Sequence, residues 1–337
     1  MILVNEVEEK PIEFLEKEKF NTDDEKLNNA MRAAEAHRRI RYNLQKMLKP
    51  GVSLKKVVDY VEESTRIMLK GEKNNGIGFP CGISLNDVAA HFTLNPWDDD
   101  ILLKETDILK IDYGTHSDGQ IIDSAFTVCF DEKYTNLLKA SKEAIETGIK
   151  SIGIDSYVCE IGRDISEIFG SYEVEDEKGI MKRIRPVWNL NGHSIDQFTI
   201  HSGITIPPIN NGDYSKVKEG FVAVEVFTTT GRGKVEDVGE CSHYMLNKNC
   251  KNKIYSEKSE QVLNLIKKEF GTLPFSPKHL DFYRKDCKTA VQLLAARKFV
   301  TSYPPLADVA NSKVAQFEHT IYLKETSKTV VSRGEDY

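Results

Sequence analysis

Residues 24 to 48, DEKLNNAMRAAEAHRRIRYNLQKML, are dense in strong helix formers, and the Pro50–Gly51 pair that follows breaks the pattern, so a first helix is expected there. Ser53 suits the N-cap of a second, running to about Lys70, in which Leu54, Val57, Val58, Val61 and Ile67 trace an apolar stripe. Past Gly76 the texture changes. IGFPCGISLNDVAAHFTLNP, DILKIDYG, IIDSAFTVCF, FVAVEVFTT and FEHTIYL are short apolar runs of strand length, punctuated by Gly, Pro and Asn. One long helical stretch, roughly Thr135 to Ser151, sits among them. Strands and helices alternate without a βαβ rhythm, which predicts an α+β fold rather than a doubly wound parallel sheet. From about Tyr244 to Ser302 the pattern is helical and charged, with QVLNLIKKEF and KTAVQLLAARKF the best stretches, and strand signals return only at VAQFEHTIYL. A helical block between strands that should belong together reads as an insertion into the main domain.

Composition narrows the function classes. A chain of 337 residues suits one large domain with an insertion, or two domains. A net charge of −6 supplies no basic surplus for a phosphate backbone, so specific nucleic-acid binding is not expected. The opening MILVNEVEEK has too short an apolar start for a signal-peptide core, and no run approaches the roughly 20 apolar residues that span a bilayer. Six cysteines without CxxC spacing argue against a zinc knuckle or a disulfide framework, and for a reducing, cytoplasmic setting.

Against that background certain acids stand out. Asp112 and Asp123 lie in DILKIDYG and IIDSAFTVCF, joined by the turn-rich THSDGQ, which predicts a β-hairpin. A turn between Ser117 and Asp118 sets the two carboxylates directly opposite, and one centred on Asp118–Gly119 makes them diagonal neighbours; both registers leave them on one face. A solvated hairpin face would explain a single Asp, but two in apolar runs carry charges that are expensive unless paired. Glu225 stands in FVAVEVFT, apolar on both faces and so a central strand, and Glu318 in VAQFEHTIYL reads either the same way or as part of an exposed edge strand. His193, in NLNGHSID, taken alone is an ordinary loop histidine. Together two Asp, two Glu and one His form a mainly oxygen donor set, suited to manganese, iron or cobalt ahead of a structural zinc. Four carboxylates balance two divalent ions, and such a pair is equipped for amide hydrolysis.

The order and context of these acids resembles the pita-bread metallopeptidases, and the local motifs are similar to those of the type 2 methionine aminopeptidase family: AAH at 89–91, KIDYGTHSDGQIID at 110–123, NLNGHSI at 189–195, AVEVF at 223–227, ECSHYM at 240–245, then YPPL and AQFEHT. The resemblance implies a pita-bread fold, a central antiparallel sheet flanked by helices, with a short N-terminal extension over 1–25 and a catalytic domain over 26–337 interrupted by a helical insertion at about 244–302. It implies removal of the initiator methionine ahead of a small second residue, by a metal-bridged hydroxide attacking the first peptide bond. Two divalent ions would be held by Asp112, Asp123, His193, Glu225 and Glu318, with Asp123 and Glu318 bridging and Glu225 also shuttling a proton; manganese, iron or cobalt lead and zinc is admissible. His91 carries over as a catalytic histidine, the one fumagillin-type epoxides alkylate in that family, and His201 as a second that contacts substrate. Phe79, Ile200, His243, Tyr303 and Leu306 would surround the methionine side chain, and Asn191 would help hold the α-amino group. The implied partner is a nascent polypeptide N-terminus, met by a cytoplasmic monomer with no membrane attachment. The long lysine-rich extensions of larger relatives are missing from the short stretch before the first helix, which leaves only a transient ribosome association to expect. Pita-bread prolidases and aminopeptidase P share the five ligand types, and the proliferation-associated binding proteins share the fold without the full ligand set; those are the rival readings.

Overall fold

A computed structural model describes residues 22–70, 74–175 and 179–337, so most of the extension expected over 1–25 lies outside the described residues. Helix α1 (Asp23–Met47) begins on a reciprocal cap: Thr22 Oγ1 accepts from Glu25 N at 3.3 Å while the Glu25 carboxylate takes Thr22 N at 2.8 Å. Helix α2 (Leu54–Met68) starts on Ser53, whose Oγ accepts from Lys56 N at 3.1 Å. Leu54, Val57, Val58 and Val61 are buried as the stripe requires, but Ile67 is 71 % exposed. Six residues beyond Val61 it is turned about 240° from that face, and Glu62 and Thr65 take the inward positions instead.

Strands β1 (Asn75–Leu85), β3 (Ile108–Ser117) and β4 (Gln120–Cys129) form an antiparallel sheet in the order β1-β3-β4, with β2 (Val88–Ala90) following β1 in the chain. Asp118 and Gly119 both have positive φ, 47° and 74°, as a two-residue hairpin turn of type I′ demands. The pairings Asp112↔Ala125 and Gly114↔Asp123 follow, so the two aspartates are diagonal neighbours on one face. Of the two registers open from sequence, the turn on Asp118–Gly119 is the one adopted.

After α3 (Thr135–Ser151) and α4 (Val158–Glu167), strands β5 (Gly192–Ile195) and β6 (Gly220–Thr229) enter a second antiparallel sheet. Helix α4 was not expected from sequence: Gly162 at its centre lowers helix propensity, yet a Cβ there would sit 2.1 Å from Ile209 O. Strand β7 (His243–Leu246) leads into α5 (Glu257–Glu269), α6 (Pro277–Tyr283) and α7 (Lys288–Ala296), and β8 (Val300–Tyr303) returns to pair with β7. These helices bury their own apolar cluster, including Val262, Ile266, Phe275, Leu280 and Val291. Strand signals were expected to return only at VAQFEHTIYL; β7 and β8, four residues each, are too short to show an alternation in sequence.

The chain then runs through β9 (Leu306–Ala307), which pairs with β2 and with Glu236–Asp237, to β10 (Val314–Lys324) and β11 (Ser327–Val330). The second sheet has the order β11-β10-β6-β5, extended by Thr205–Ile206. Glu225 and Glu318 face each other across β6 and β10, and Ala223 pairs with His193 on the other side. Glu318 is therefore central, 1 % exposed, and the edge-strand reading is excluded. Helix α1 packs on β3 and β4, α2 on β1, and α3 on β6 and β10, which gives the expected α+β layering of helices over antiparallel sheets.

The two sheets meet at β4 and β10, where among the described residues no backbone ladder joins them. Hydroxyl groups fill that role. Thr320 Oγ1 accepts from Asp123 N at 2.8 Å and donates to Asp123 O at 2.7 Å; Thr127 Oγ1 accepts from Gln316 N at 2.8 Å and donates to Gln316 O at 2.6 Å; Ser124 Oγ donates to Glu318 O at 2.8 Å.

Candidate metal centre

The hairpin β3–β4 delivers Asp112 and Asp123, β5 delivers His193, and the central pair β6–β10 delivers Glu225 and Glu318; all five line one cleft of about 790 Å³ that opens to solvent. Asp123, His193 and Glu318, each buried, bring one ligand atom apiece within 4.8 Å of one another, with His193 Nε2 3.4 Å from Asp123 Oδ2. Asp112 is tied to this group through Gln316, whose Nε2 donates to Asp112 Oδ2 at 3.0 Å and to Glu318 Oε2 at 3.5 Å. Glu225 stands directly across the ladder from Glu318.

Electrostatics say what this arrangement lacks. Burial raises Asp112 to about 8, with the negative charge of Asp123 adding and the Gln316 hydrogen bond opposing. Burial, then Asp123 and Asp112, push Glu225 well above the usual carboxylate range. Burial, then Asp123, Glu225 and Asp112, do the same to Glu318. Acids crowded into one cleft in this way stay ionised together only with cations between them. Asp112 Oδ1 is buried with no hydrogen-bond partner among the described residues, and a hard divalent cation is the group such an oxygen suits. The donor set and the stranded oxygen fit a divalent metal site.

Beside His193, three further histidines line the cleft. His91 adopts a left-handed φ of 63°, a conformation that costs on the order of 1–3 kcal/mol and is kept where surroundings impose it. Those surroundings are Ile83 N donating to Phe92 O at 2.7 Å and the buried Ser242, which donates to His91 O at 3.3 Å and accepts from Thr93 N at 3.2 Å. Burial lowers His91, against a hydrogen bond to the Pro304 backbone. His243, its ring 5.9 Å from that of His91, is brought down to about 3 by burial and then by His91. His201 stands edge-on to His193 at 4.1 Å and is lowered to about 4 by burial and by His193. Near neutral pH all three are uncharged imidazoles, each with one donor and one acceptor nitrogen.

Of the remaining expected residues, Phe79, Ile200 and Tyr303 line the cleft, and Asn191 and Leu306 do not. Asn191 immediately precedes β5, and Leu306 pairs with Ala90 and packs against the apolar cluster that includes Ala89, Val187 and Val235. Sequence reading missed Gln316, Leu190, Phe227, Met245 and Pro274. Gln316 had a signal, since it lies two residues before Glu318 and so on the same strand face. Gly114 had none: it is bare because the Phe79 ring lies where its Cβ would be, 2.3 Å from Cδ1.

Residues 28–325 match the model of metallopeptidase family M24. Methionine aminopeptidase 2 of Encephalitozoon hellem is 49% identical over 356 aligned positions, covering 100% of this chain and 99% of the relative, and that of Encephalitozoon intestinalis is 50% identical over the same span. The Candida dubliniensis protein of that name is 45% identical, over 91% of this chain and 69% of its own. Among solved structures, a thermophilic Arx1 superposes with a TM-score of 0.78 at 17% identity, covering 94% of this chain and 93% of its own. A Thermotoga maritima methionine aminopeptidase gives 0.61 at 18%, over 93% and 98%. At those identities the likeness speaks for the pita-bread fold alone.

Proposed function

The chain belongs to metallopeptidase family M24, and from that premise we infer that it is a metalloaminopeptidase that removes the initiator methionine from proteins. The observation that carries the reading is the convergence of Asp112, Asp123, His193, Glu225 and Glu318, from two sheets, on one cleft beside an apolar wall. We assign these five as ligands of two divalent ions, manganese, iron or cobalt ahead of zinc. When bound, such ions polarise the scissile carbonyl and lower the pKa of water.

The chain's own groups supply the rest. Glu225, a carboxylate lining the cleft opposite Glu318, is the group we assign to take a proton and pass it to the leaving amine. His91 and His201, uncharged near neutral pH, can hydrogen-bond the substrate's peptide group without adding positive charge to the cleft. Phe79, Ile200, His243 and Tyr303, joined by Met245, give the methionine side chain a mainly apolar pocket. Asn191 and Leu306, one position or one strand pairing from the cleft, are assigned supporting roles: Asn191 toward the α-amino group and Leu306 beside the pocket. A small second residue would be required of the substrate.

We treat residues 26–337 as the catalytic domain and 244–302 as an insertion in it, a division supported by the β7–β8 pairing at its base. A nascent chain as substrate calls for a cytoplasmic monomer meeting the ribosome transiently, and cosedimentation with translating ribosomes tests that. Release of Met from Met-Gly peptides, with no cleavage before proline, is expected; the reverse specificity would make the protein a prolidase or aminopeptidase P. Asp123→Ala should abolish both activity and metal binding; retained activity would refute the ligand role of Asp123, and an unaltered protein that bound no divalent metal and released no methionine would leave the binding-module reading in its place.

A further inference from the structure

The ligands come from two sheets that share no backbone ladder among the described residues, Asp112 and Asp123 from one, and His193, Glu225 and Glu318 from the other. The separation of Asp123 from Glu318 is therefore set by whatever holds β4 against β10. In a ladder, backbone amides would do so; here Thr320, Thr127 and Ser124 take their place. Thr320 is fully buried, and its single hydroxyl satisfies both the N–H and the C=O of Asp123, the backbone of a ligand residue. Ser124, next to Asp123 and fully buried, donates to the carbonyl of Glu318, the facing ligand. That carbonyl also takes Tyr337 Oη at 3.3 Å, and Ser124 Oγ is approached by Arg41 Nη1 at 3.4 Å, so the seam is braced from behind by a buried guanidinium. Thr127 repeats the Thr320 arrangement on Gln316, which hydrogen-bonds Asp112 and Glu318.

We propose that this hydroxyl seam is the positioning device of the metal centre, with Thr320 and Ser124 fixing the spacing of Asp123 and Glu318 across the sheet junction. The inference rests on the ligand assignment made above. Thr320 and Ser124 touch neither substrate nor ion; they act through the backbones of the ligands, as outer partners of metal ligands do. Valine matches threonine in shape but can neither donate nor accept. In Thr320→Val both backbone groups of Asp123 lose their partner and the two strands are free to part, whereas Thr320→Ser keeps the hydroxyl.

The test is cobalt binding to chelator-treated protein, followed by calorimetry and by the visible absorption of the bound ion, beside urea unfolding of the same metal-free samples. Thr320→Val should weaken cobalt binding by roughly ten- to a hundredfold and alter the absorption band, while Thr320→Ser stays within about threefold of the unaltered protein. Should Thr320→Val not fold, Ser124→Ala carries the test, with a loss of about tenfold expected. Unchanged cobalt affinity in a folded Thr320→Val or Ser124→Ala protein, with only urea stability reduced, would make the seam purely structural and overturn the proposal. Failure of the unaltered protein to bind cobalt would overturn the ligand assignment, and the seam with it, and is told apart because it precedes any substitution.

Discussion

Gly114→Ala probes the substrate pocket without touching a ligand. Gly114 lies on β3 two residues from Asp112, on the same face, and pairs with Phe79 on one side and Asp123 on the other. Its φ is not in the left-handed region, so alanine suits the backbone, and the obstacle is space. The added methyl carbon would lie 2.3 Å from Phe79 Cδ1, 2.4 Å from Cε1 and 3.1 Å from Cγ. Carbon atoms settle at about 3.5–4.0 Å, so the ring must withdraw by about 1 Å, away from β3 and into the cleft it lines. Overpacking of this size costs about 1–3 kcal/mol of stability, and a displacement of about 1 Å at a reaction site can cost about a hundredfold in rate. We expect kcat/KM for a Met-Gly peptide to fall by roughly ten- to a hundredfold, carried largely by KM. A peptide opening with norvaline, whose side chain is shorter and needs less room in the narrowed pocket, should lose less. Steady-state kinetics on both peptides, with urea midpoints to report folding, measure this. Unchanged cleavage of the Met peptide, or equal losses on both, would refute the reasoning.

Two further outcomes concern charge. In metal-free protein Asp112, Glu225 and Glu318 hold protons more tightly folded than unfolded, so each contributes stability that is complete below the unfolded value near 4 and lost as pH rises through the folded value, about 8 for Asp112. The depressed histidines, His37 and His243 at about 3 and His116 and His201 at about 4, act oppositely: their contribution is complete above the ordinary histidine value and lost as pH falls toward the folded one. Between about pH 6.5 and 8 the carboxylates govern, so urea unfolding in chelator should show stability falling by up to about 2 kcal/mol per proton, and added manganese should remove the slope; a flat or rising chelator profile contradicts this. Glu62, 2 % exposed on α2, takes His279 Nε2 at 2.9 Å and Lys278 Nζ at 2.5 Å from α6; against burial, which raises it, the charges of His279 and Lys278 hold it down to about 2. Glu62→Gln should cost about 3 kcal/mol at neutral pH and speed hydrogen exchange in α6, and its deficit against the unaltered protein should shrink as pH falls below about 4.5; a cost under about 1 kcal/mol would show the pair to be dispensable.

What the sequence determined by itself is local. The extents of α1 and α2 follow from capping residues, breakers and a 3.6-residue period, and that of α3, which has no side-chain cap, from the helical pattern alone, all within reach of a few positions along the chain. The Asp118–Gly119 turn follows from residues that tolerate positive φ, and an apolar run around a carboxylate marks a charge in need of a partner, which is why Asp112, Asp123, Glu225 and Glu318 were legible, whereas His193, alone an ordinary loop histidine, was legible only through its motif. Site residues whose role rests on family resemblance were legible only through whole motifs. Tertiary structure decided everything that depends on distant segments meeting. It chose between the two hairpin registers, set Glu225 against Glu318, turned Ile67 outward, left Leu306 out of the cleft lining, and brought β7 and β8 together at the base of the helical block. The same holds for Thr320 and Ser124. A buried threonine in a strand is unremarkable in sequence, and its meaning comes from which backbone its hydroxyl reaches: at Thr320 that backbone belongs to Asp123, nearly two hundred positions earlier in the chain.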